Sequence, residues 1–336
     1  MAMEKSDWVR LGAVLVTLAG LVATVALLAA FGFADVLAVL RRVGLLGFVL
    51  YTGYTLLILA LLGLAWCLLA PGQTPAPPAR RLWVFVWART TREAATDVLP
   101  FSQFGGIVIG ARTLITAGVP QPMVYASLVA DQTAELAAQL VYTFYAVAAL
   151  ALLLSRQPSG GDLLGLAAAG LGVSIAIIVA FTFAQRPLLV FAARMAGVLL
   201  PGSTAGLTSV RDTLDAIYRR RGPLVASFLL HIVTWVGGGA GAWIGLHFMG
   251  IDLPLQSVLV IEGLIFTLRS AAFLVPGAIG LQEGAYVLIG PLFGLPPEAA
   301  LALSLLKRAR DLGFGIPVML AWQFGEGRGL LRKPAQ

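Results

Sequence analysis

The stretch Leu99-Pro100-Phe101-Ser102-Gln103-Phe104-Gly105-Gly106 places a proline and two glycines inside an otherwise apolar segment. A similar stretch, Val275-Pro276-Gly277-Ala278-Ile279-Gly280, follows 176 positions later, and Gly118 aligns with Gly294 without a gap. Proline removes a backbone donor and clashes with the preceding turn, so each stretch predicts a broken helix. Interrupted apolar segments at matching positions of two halves are typical of a transporter binding region. The predicted helix breaks are Pro100, Gly105, Gly106, Pro276, Gly277 and Gly280.

The composition is that of a membrane protein. Apolar residues make up 59% of the chain and charged residues 12%, and the mean hydropathy is +0.91. A soluble domain carries about 25% charged residues. Apolar runs long enough to cross about 30 Å of hydrocarbon occur at four places. They are Leu11–Phe31, Gly44–Ala70, Leu163–Ala184 and Pro223–Gly250. We expect an all-α, polytopic membrane protein in which residues 1–336 form a single transmembrane domain.

The positions of the basic residues predict the topology. Gln121–Leu154 and Ala299–Phe324 are also long enough to span, although they carry charges. Three basic clusters fall on one side of the membrane only if Arg81–Gly118 and Leu255–Leu295 each enter and return. Six full spans and two re-entrant helical hairpins result, with both termini cytoplasmic. The clusters are Arg80-Arg81, Arg211 with Arg219-Arg220-Arg221, and Arg328 with Arg332 and Lys333.

This topology makes the two copies an inverted repeat. Repeat 1 covers about 44–154 and repeat 2 about 223–325, joined by a span (163–184) and an amphipathic segment (186–222). One hairpin enters from the cytoplasm and the other from outside, so that they meet near the midplane. In the alternative arrangement of eight spans, the first arm of each hairpin crosses the membrane.

Charged residues inside the apolar spans are the second signal. Each costs about 2.5–3.5 kcal/mol at a helix centre, so it normally faces a cavity or a partner. Asp131 and Glu135 share one helix face, and Lys307 and Asp311 repeat that spacing at the matching positions. The candidate substrate-binding residues are Glu93, Arg112, Asp131, Glu135, Arg269, Glu283, Lys307, Arg308 and Asp311.

Aligned positions in the two copies carry opposite charges. Asp131 aligns with Lys307, and Glu93 aligns with Arg269. Residues related by a pseudo-two-fold axis can touch if they lie near it, so we expect two ion pairs between the copies, flanking a polar groove. In the alternative, each charge pairs within its own repeat as part of the scaffold.

In the second copy, a helix break is predicted at Gly280, three residues before Glu283. A half-helix that begins there would point its positive end and its free N–H groups into the groove. Such donors suit an anionic or hydroxyl-rich lipid headgroup. In the alternative, the glycines merely allow close contact between helices.

Several classes of chemistry lack their motifs. The chain contains neither a Gly-x-x-x-x-Gly-Lys-Ser/Thr loop nor a Gly-x-Ser-x-Gly elbow. His231 and His247 are separated by about 24 Å of helix rise and cannot share a metal. We therefore expect no catalytic residue, metal or cofactor. The net charge of +7 reflects arginines in loops rather than a nucleic-acid partner.

These motifs resemble the flippase-like domain family, which includes the transmembrane region of lysylphosphatidylglycerol synthases. The residues that carry the resemblance are Leu99-Pro100, Gly105-Gly106, Arg112 and Gly118-Val119, followed by Pro276-Gly277-Ala278-Ile279-Gly280-Leu281-Gln282-Glu283-Gly284 and Gly294-Leu295-Pro296. The stretch from Arg92 to Gln103 is similar to the branch encoded alongside hopanoid biosynthesis.

The resemblance implies a lipid flippase of the bacterial inner membrane, and for the branch the movement of hopanoids toward the outer membrane. The expected partners are membrane lipids of the hopanoid or phospholipid class, with lipid-biosynthesis or export proteins as further candidates. Neither an aminoacyl transferase domain nor lysyl transfer is expected. Two alternatives remain. One is an isoprenoid-lipid enzyme in which Asp131 and Glu135 hold magnesium, and the other is a non-catalytic scaffold of a lipid-biosynthesis complex.

Overall fold

The computed structural model describes residues 33–70, 77–98, 102–154, 204–271 and 278–332, together with residues 165 and 172. All regular structure in these ranges is helical, which confirms the predicted all-α class. The helices are α1 (Phe33–Leu69), α2 (Pro78–Val98), α3 (Ser102–Thr116), α4 (Gln121–Leu154), α5 (Thr204–Arg219), α6 (Arg221–Phe248), α7 (Leu255–Ala271), α8 (Leu281–Ile289) and α9 (Pro297–Arg332), with a 3-10 turn at Gly290–Phe293.

Three helices in the described ranges are long and apolar enough to cross a membrane: Val36–Leu69, Gln121–Leu153 and Arg221–Phe248. They coincide with three of the predicted spans and confirm a polytopic membrane protein. Within α1 the backbone kinks at Gly44, where φ is +60°, so the continuous helix begins where the sequence predicts the span. The predicted spans Leu11–Phe31 and Leu163–Ala184 lie outside the described residues, apart from residues 165 and 172. The count of six spans stays a prediction.

The order of elements in α2, α3 and α4 recurs in α7, α8 and α9. The loop before the last helix contains each time a glycine with left-handed backbone, Gly118 at φ +90° and Gly294 at φ +84°. In both copies the amide that follows this glycine donates to the carbonyl five positions earlier, at 3.0 Å. The last helix then begins at Gln121 in the first copy and at Pro297 in the second, again 176 positions apart. The copies therefore share local structure, whereas their inversion stays a prediction.

Two of the predicted helix breaks are wrong. Gly105 and Gly106 lie inside α3, which runs without interruption from Ser102. Gly106 instead permits close contact between helices. A Cβ atom at this position would lie 2.1 Å from the Thr96 hydroxyl oxygen and 2.6 Å from the Arg92 carbonyl oxygen. Three other predicted breaks lie outside the described residues: Pro100, Pro276 and Gly277.

The chain divides into two compact units. The first unit comprises Met1–Leu57, Thr90–Gly110 and Gly239–Gln336, and the second comprises Ile58–Arg89 and Ala111–Gly238. In the described part of the first unit, apolar side chains from α1, α6, α7, α8 and α9 form one core.

The second unit is built around α4. The Trp66 indole N–H donates to the Ser127 hydroxyl at 3.1 Å, which ties α1 to α4. The described part of the predicted amphipathic segment forms α5, and its apolar side chains Leu214 and Ile217 are buried where α5 packs on α4. In this helix, therefore, the apolar stripe contacts protein.

Candidate functional site

Three buried polar side chains meet in the first unit, one from each of α7, α8 and α9. The Lys307 ammonium donates to Glu262 Oε2 at 2.6 Å and to the Tyr286 hydroxyl at 2.8 Å. The Tyr286 hydroxyl in turn donates to the other oxygen of Glu262. Glu262 and Tyr286 have no exposed surface and Lys307 is 4% exposed. We call these three residues the α7–α9 triad.

Glu283 organises a second network beside α8. Its Oε2 accepts the backbone N–H of Gly280 at 2.8 Å, where φ is +80° and α8 begins. Its Oε1 accepts from the Ser304 hydroxyl at 3.3 Å and from Arg308 Nε at 3.1 Å. The N–H groups at the start of α8 were predicted to be free to bind a headgroup. This prediction is wrong for Gly280, because its N–H donates to the carboxylate of Glu283 on the same helix. Arg308 balances the negative charge.

Further charges from α2, α7 and α9 lie near one another in the same unit. Arg310 donates to Asp311 at 2.8 Å through Nε and to the Tyr51 hydroxyl at 3.1 Å through Nη1. Asp97, near the end of α2, lies within electrostatic reach of Asp311, Glu93, Arg269 and Arg310. The second copy and the α2 arm of the first thus contribute acidic and basic groups to one region of the unit.

The second unit contains its own charge cluster, formed by α2, α4 and α6. Arg89 donates to both oxygens of Glu135, at 3.0 and 2.7 Å, and to Asp131 Oδ2 at 3.3 Å. The other oxygen of Asp131 lies 3.0 Å from Nε2 of His231. Arg89 is 1% exposed, and Asp131 and His231 are fully buried. We call these four residues the Arg89 cluster.

Asp131 and Lys307, which align and carry opposite charges, have other partners than the predicted ones. The sequence suggested that these two residues pair with each other. The structure gives Asp131 the partners Arg89 and His231 and gives Lys307 the partners Glu262 and Tyr286. In each copy, the long helix after the hairpin pairs with the first arm of that hairpin. The two ion pairs simply have opposite polarity.

The other predicted site residues are placed as follows. Glu283, Lys307, Arg308 and Asp311 all belong to the described networks of the first unit, on α8 and α9. Arg112 is exposed on the part of α3 that belongs to the second unit. The pair Glu93–Arg269 stays a prediction. A substrate-binding role for each of these residues also stays a prediction.

Sequence reasoning missed Arg89, His231 and Tyr286. Arg89 lies in a stretch with several other basic residues, where one arginine does not stand out. The pattern that could have identified Arg89 is its position one helix turn before Arg92 and Glu93, in a segment that is predicted to enter the membrane. A buried histidine or tyrosine in an apolar helix resembles an ordinary core residue, so the other two carried no signal.

The Arg89 cluster also bears on metal binding. Asp131 and Glu135 share one guanidinium, which occupies the carboxylates that the magnesium hypothesis requires and offsets one of their two negative charges. Within the described ranges, no group of three or more His, Cys, Asp or Glu residues is placed to hold a metal ion. The arrangement of these two carboxylates is that of an ion pair rather than of a magnesium site.

Long apolar helices, broken pairs of helices and buried charges define a polytopic helical membrane protein. The family model for the transmembrane region of lysylphosphatidylglycerol synthase matches residues 10–318, so the chain belongs to this family. Neither the curated proteins nor the solved structures include a match to the chain. The family places the protein among membrane proteins with a lipid-related role.

Proposed function

We propose that the protein is a lipid flippase of the bacterial inner membrane that moves a headgroup of the hopanoid or phospholipid class across the bilayer. The observation that carries the proposal is the concentration of charges inside the apolar core of the first unit. Glu262, Glu283 and Lys307 are all buried there. Charged groups at membrane depth are expensive and usually mark the path of a polar substrate or ion.

The inner and outer residues of this region have different roles in the proposal. The α7–α9 triad is fully buried and holds three helices together. Arg308 and Arg310 are 21% and 17% exposed, respectively, and each also bonds a buried carboxylate. These partly exposed guanidinium groups are the best placed to bind a phosphate or hydroxyl headgroup, because arginine presents several donors in a fixed plane. The hydrocarbon tail would remain in the bilayer.

Family membership supports the lipid class of the substrate, since lysylphosphatidylglycerol is itself a lipid. The hopanoid headgroup rests on the resemblance of Arg92–Gln103 alone. The magnesium-dependent enzyme is disfavoured by the guanidinium of Arg89 between its carboxylates. No observation favours the scaffold.

Transport can be measured in proteoliposomes that contain a trace of fluorescent lipid, with an impermeant reductant that bleaches only the outer leaflet. Three lipids would be compared: phosphatidylglycerol, phosphatidylcholine and a polyhydroxylated hopanoid. We expect the wild type to expose inner-leaflet lipid with a clear preference among these headgroups. Bleaching equal to that of protein-free vesicles for all three lipids would refute the flippase.

Two variants test the site. Glu283→Gln removes the charge but keeps an acceptor for the Gly280 N–H, and Arg269→Gln removes a cation near Asp97. We expect both substitutions to slow transport about tenfold or more. A tenfold slower rate corresponds to an activation barrier that is higher by about 1.4 kcal/mol. Asp252→Asn is the matched control, because its side chain is 98% exposed and pairs only loosely with His247. Wild-type rates in both site variants would refute this location of the path.

A further inference from the structure

His231 lies on α6 in the second unit, and its orientation is fixed by Asp131. The carboxylate of Asp131 already accepts a bond from Arg89, and an ionised carboxylate can only accept. The nitrogen that faces it, Nε2 at 3.0 Å, must therefore carry a hydrogen. In the neutral imidazole, Nδ1 then holds a lone pair.

That second nitrogen is buried and has no hydrogen-bond partner. Ser227 lies four residues earlier on the same face of α6, and its hydroxyl is also buried without a partner. Both side chains have no exposed surface. Native proteins satisfy nearly all buried polar atoms, so two such atoms on one helix face indicate a small polar guest. Water or a proton fits this description, whereas a lipid headgroup does not.

The charges of the Arg89 cluster favour a proton as the guest. Arg89 contributes one positive charge, and Asp131 and Glu135 contribute one negative charge each. The four side chains sum to minus one with a neutral imidazole and to zero with an imidazolium. Buried charge in a membrane is least costly when it is balanced.

Other ionisable groups lie on the elements of this unit. Arg92 and Glu93, which follow Arg89 by one turn on α2, belong to the first unit. In the second unit, Tyr218 on α5 bonds to Thr133 on α4 at 3.3 Å. Within the second unit, α6 contributes only His231 and, at its start, Arg221. The further ionisable groups in the described part of this unit lie on α1 to α5 and between α5 and α6: Cys67, Arg80, Arg81, Arg112, Tyr125, Tyr142, Tyr145, Arg211, Asp212, Asp215, Arg219 and Arg220. Asp131 is the acidic side chain that contacts the imidazole.

We propose that Nδ1 of His231 is a reversible proton-binding site and that proton uptake there drives lipid transport. In this step a hydronium ion gives its proton to the Nδ1 lone pair and leaves as water, so that the ring gains one positive charge. Nε2 keeps its own hydrogen, and Asp131 and Glu135 keep their negative charges. Only the second half of the proposal, the coupling, rests on the flippase function proposed above.

Proton binding can be measured without any transport. The chain contains only two histidines, His231 and His247, so nitrogen-15 histidine labelling in nanodiscs gives two ring systems that single substitutions assign. As the pH is lowered, we expect the His231 ring to change reversibly from one protonated nitrogen to two. A ring that keeps a single protonation state at every pH at which the protein remains folded would refute the proton site.

Coupling is tested in proteoliposomes with a pH gradient and the membrane potential held at zero. If one proton moves with each lipid, a gradient of one pH unit should bias a trace fluorescent lipid between leaflets about tenfold. His231→Gln should remove this bias, because an amide can still donate to Asp131 but cannot take up a proton. His247→Gln, the matched control, should retain it.

The outcomes separate the two proposals. Lipid movement in the wild type that ignores the pH gradient, or a bias that survives in His231→Gln, would refute the coupling and leave the flippase intact. Absence of any lipid movement would refute the flippase, and the nuclear magnetic resonance titration would still decide whether His231 binds a proton. A His231→Gln protein that fails to fold is replaced by His231→Asn, which is judged by the same bias.

Discussion

The ion pair of the first copy, Arg89 with Asp131, and that of the second copy, Glu262 with Lys307, occupy similar places with opposite polarity. Each links the first arm of a broken hairpin to the long helix that follows it. In the first pair the arm is basic and the long helix acidic, and in the second the signs are exchanged. The two copies therefore join equivalent elements with ion pairs of either polarity. We infer that the polarity of each pair is interchangeable.

The surroundings of the two pairs differ. Arg89 serves two carboxylates and leaves His231 with a buried nitrogen that has no partner. Lys307 serves one carboxylate and a phenol, and each of the three groups bonds to both others. The three groups around Lys307 are therefore bonded to one another, whereas Nδ1 of His231 beside the first pair is the proposed site of a further proton. This difference suggests that the equivalent pairs have separate roles in the two units.

The largest expected effect comes from Arg89→Met, which would break the first pair. The buried carboxylate of Asp131 and the partly buried carboxylate of Glu135 would lose their common cation. We expect the free energy of unfolding to fall by about 3–5 kcal/mol. Unfolding of the detergent-solubilised protein measures this change. Restored stability in Arg89→Lys would identify charge as the cause, whereas an unchanged stability in Arg89→Met would show that the pair is not structural.

A smaller effect is expected for Lys307→Met, which leaves one buried carboxylate and which we expect to cost about 3 kcal/mol. The comparison becomes sharper with the exchanged pair Glu262→Lys with Lys307→Glu, which gives the second copy the polarity of the first. The Tyr286 hydroxyl both donates and accepts, so it can serve either arrangement. We expect the double variant to be more stable than the sum of its single substitutions, by a thermodynamic cycle. Simple additivity would contradict the idea that polarity is interchangeable.

The smallest effect tests whether the two loops are equivalent. Gly118→Ala and Gly294→Ala each place a side chain on left-handed backbone, which costs about 1–2 kcal/mol. A Cβ at Gly118 meets open space, and one at Gly294 lies 3.7 Å from Leu253, an ordinary contact. We therefore expect equal losses of stability from both, measured by thermal unfolding in detergent. A clear difference between them would show that the loops are not structurally equivalent.

Much of the architecture could be predicted because its causes are local. A continuous apolar run long enough for the bilayer predicts a span, and Gly44 marks the start of one in both sequence and structure. The offset of 176 positions predicted equivalent loops, and the left-handed glycines at 118 and 294 have that relation. Gly106 was misread for a different reason. A glycine that ends a helix and a glycine that admits a neighbouring helix are identical in sequence.

The sequence by itself determined the membrane class, the equivalent loops of the two copies and which charges lie in apolar helices, because hydropathy and turn residues act through the chain itself. Only the tertiary structure decided which charges pair. Ion pairs join atoms that are distant in the chain, and sequence alignment relates positions rather than distances. Asp131 and Lys307 align and carry opposite charges, yet each forms its ion pair with a residue on a helix of its own unit. Likewise, only the tertiary structure shows that Nδ1 of His231 is buried and has no hydrogen-bond partner.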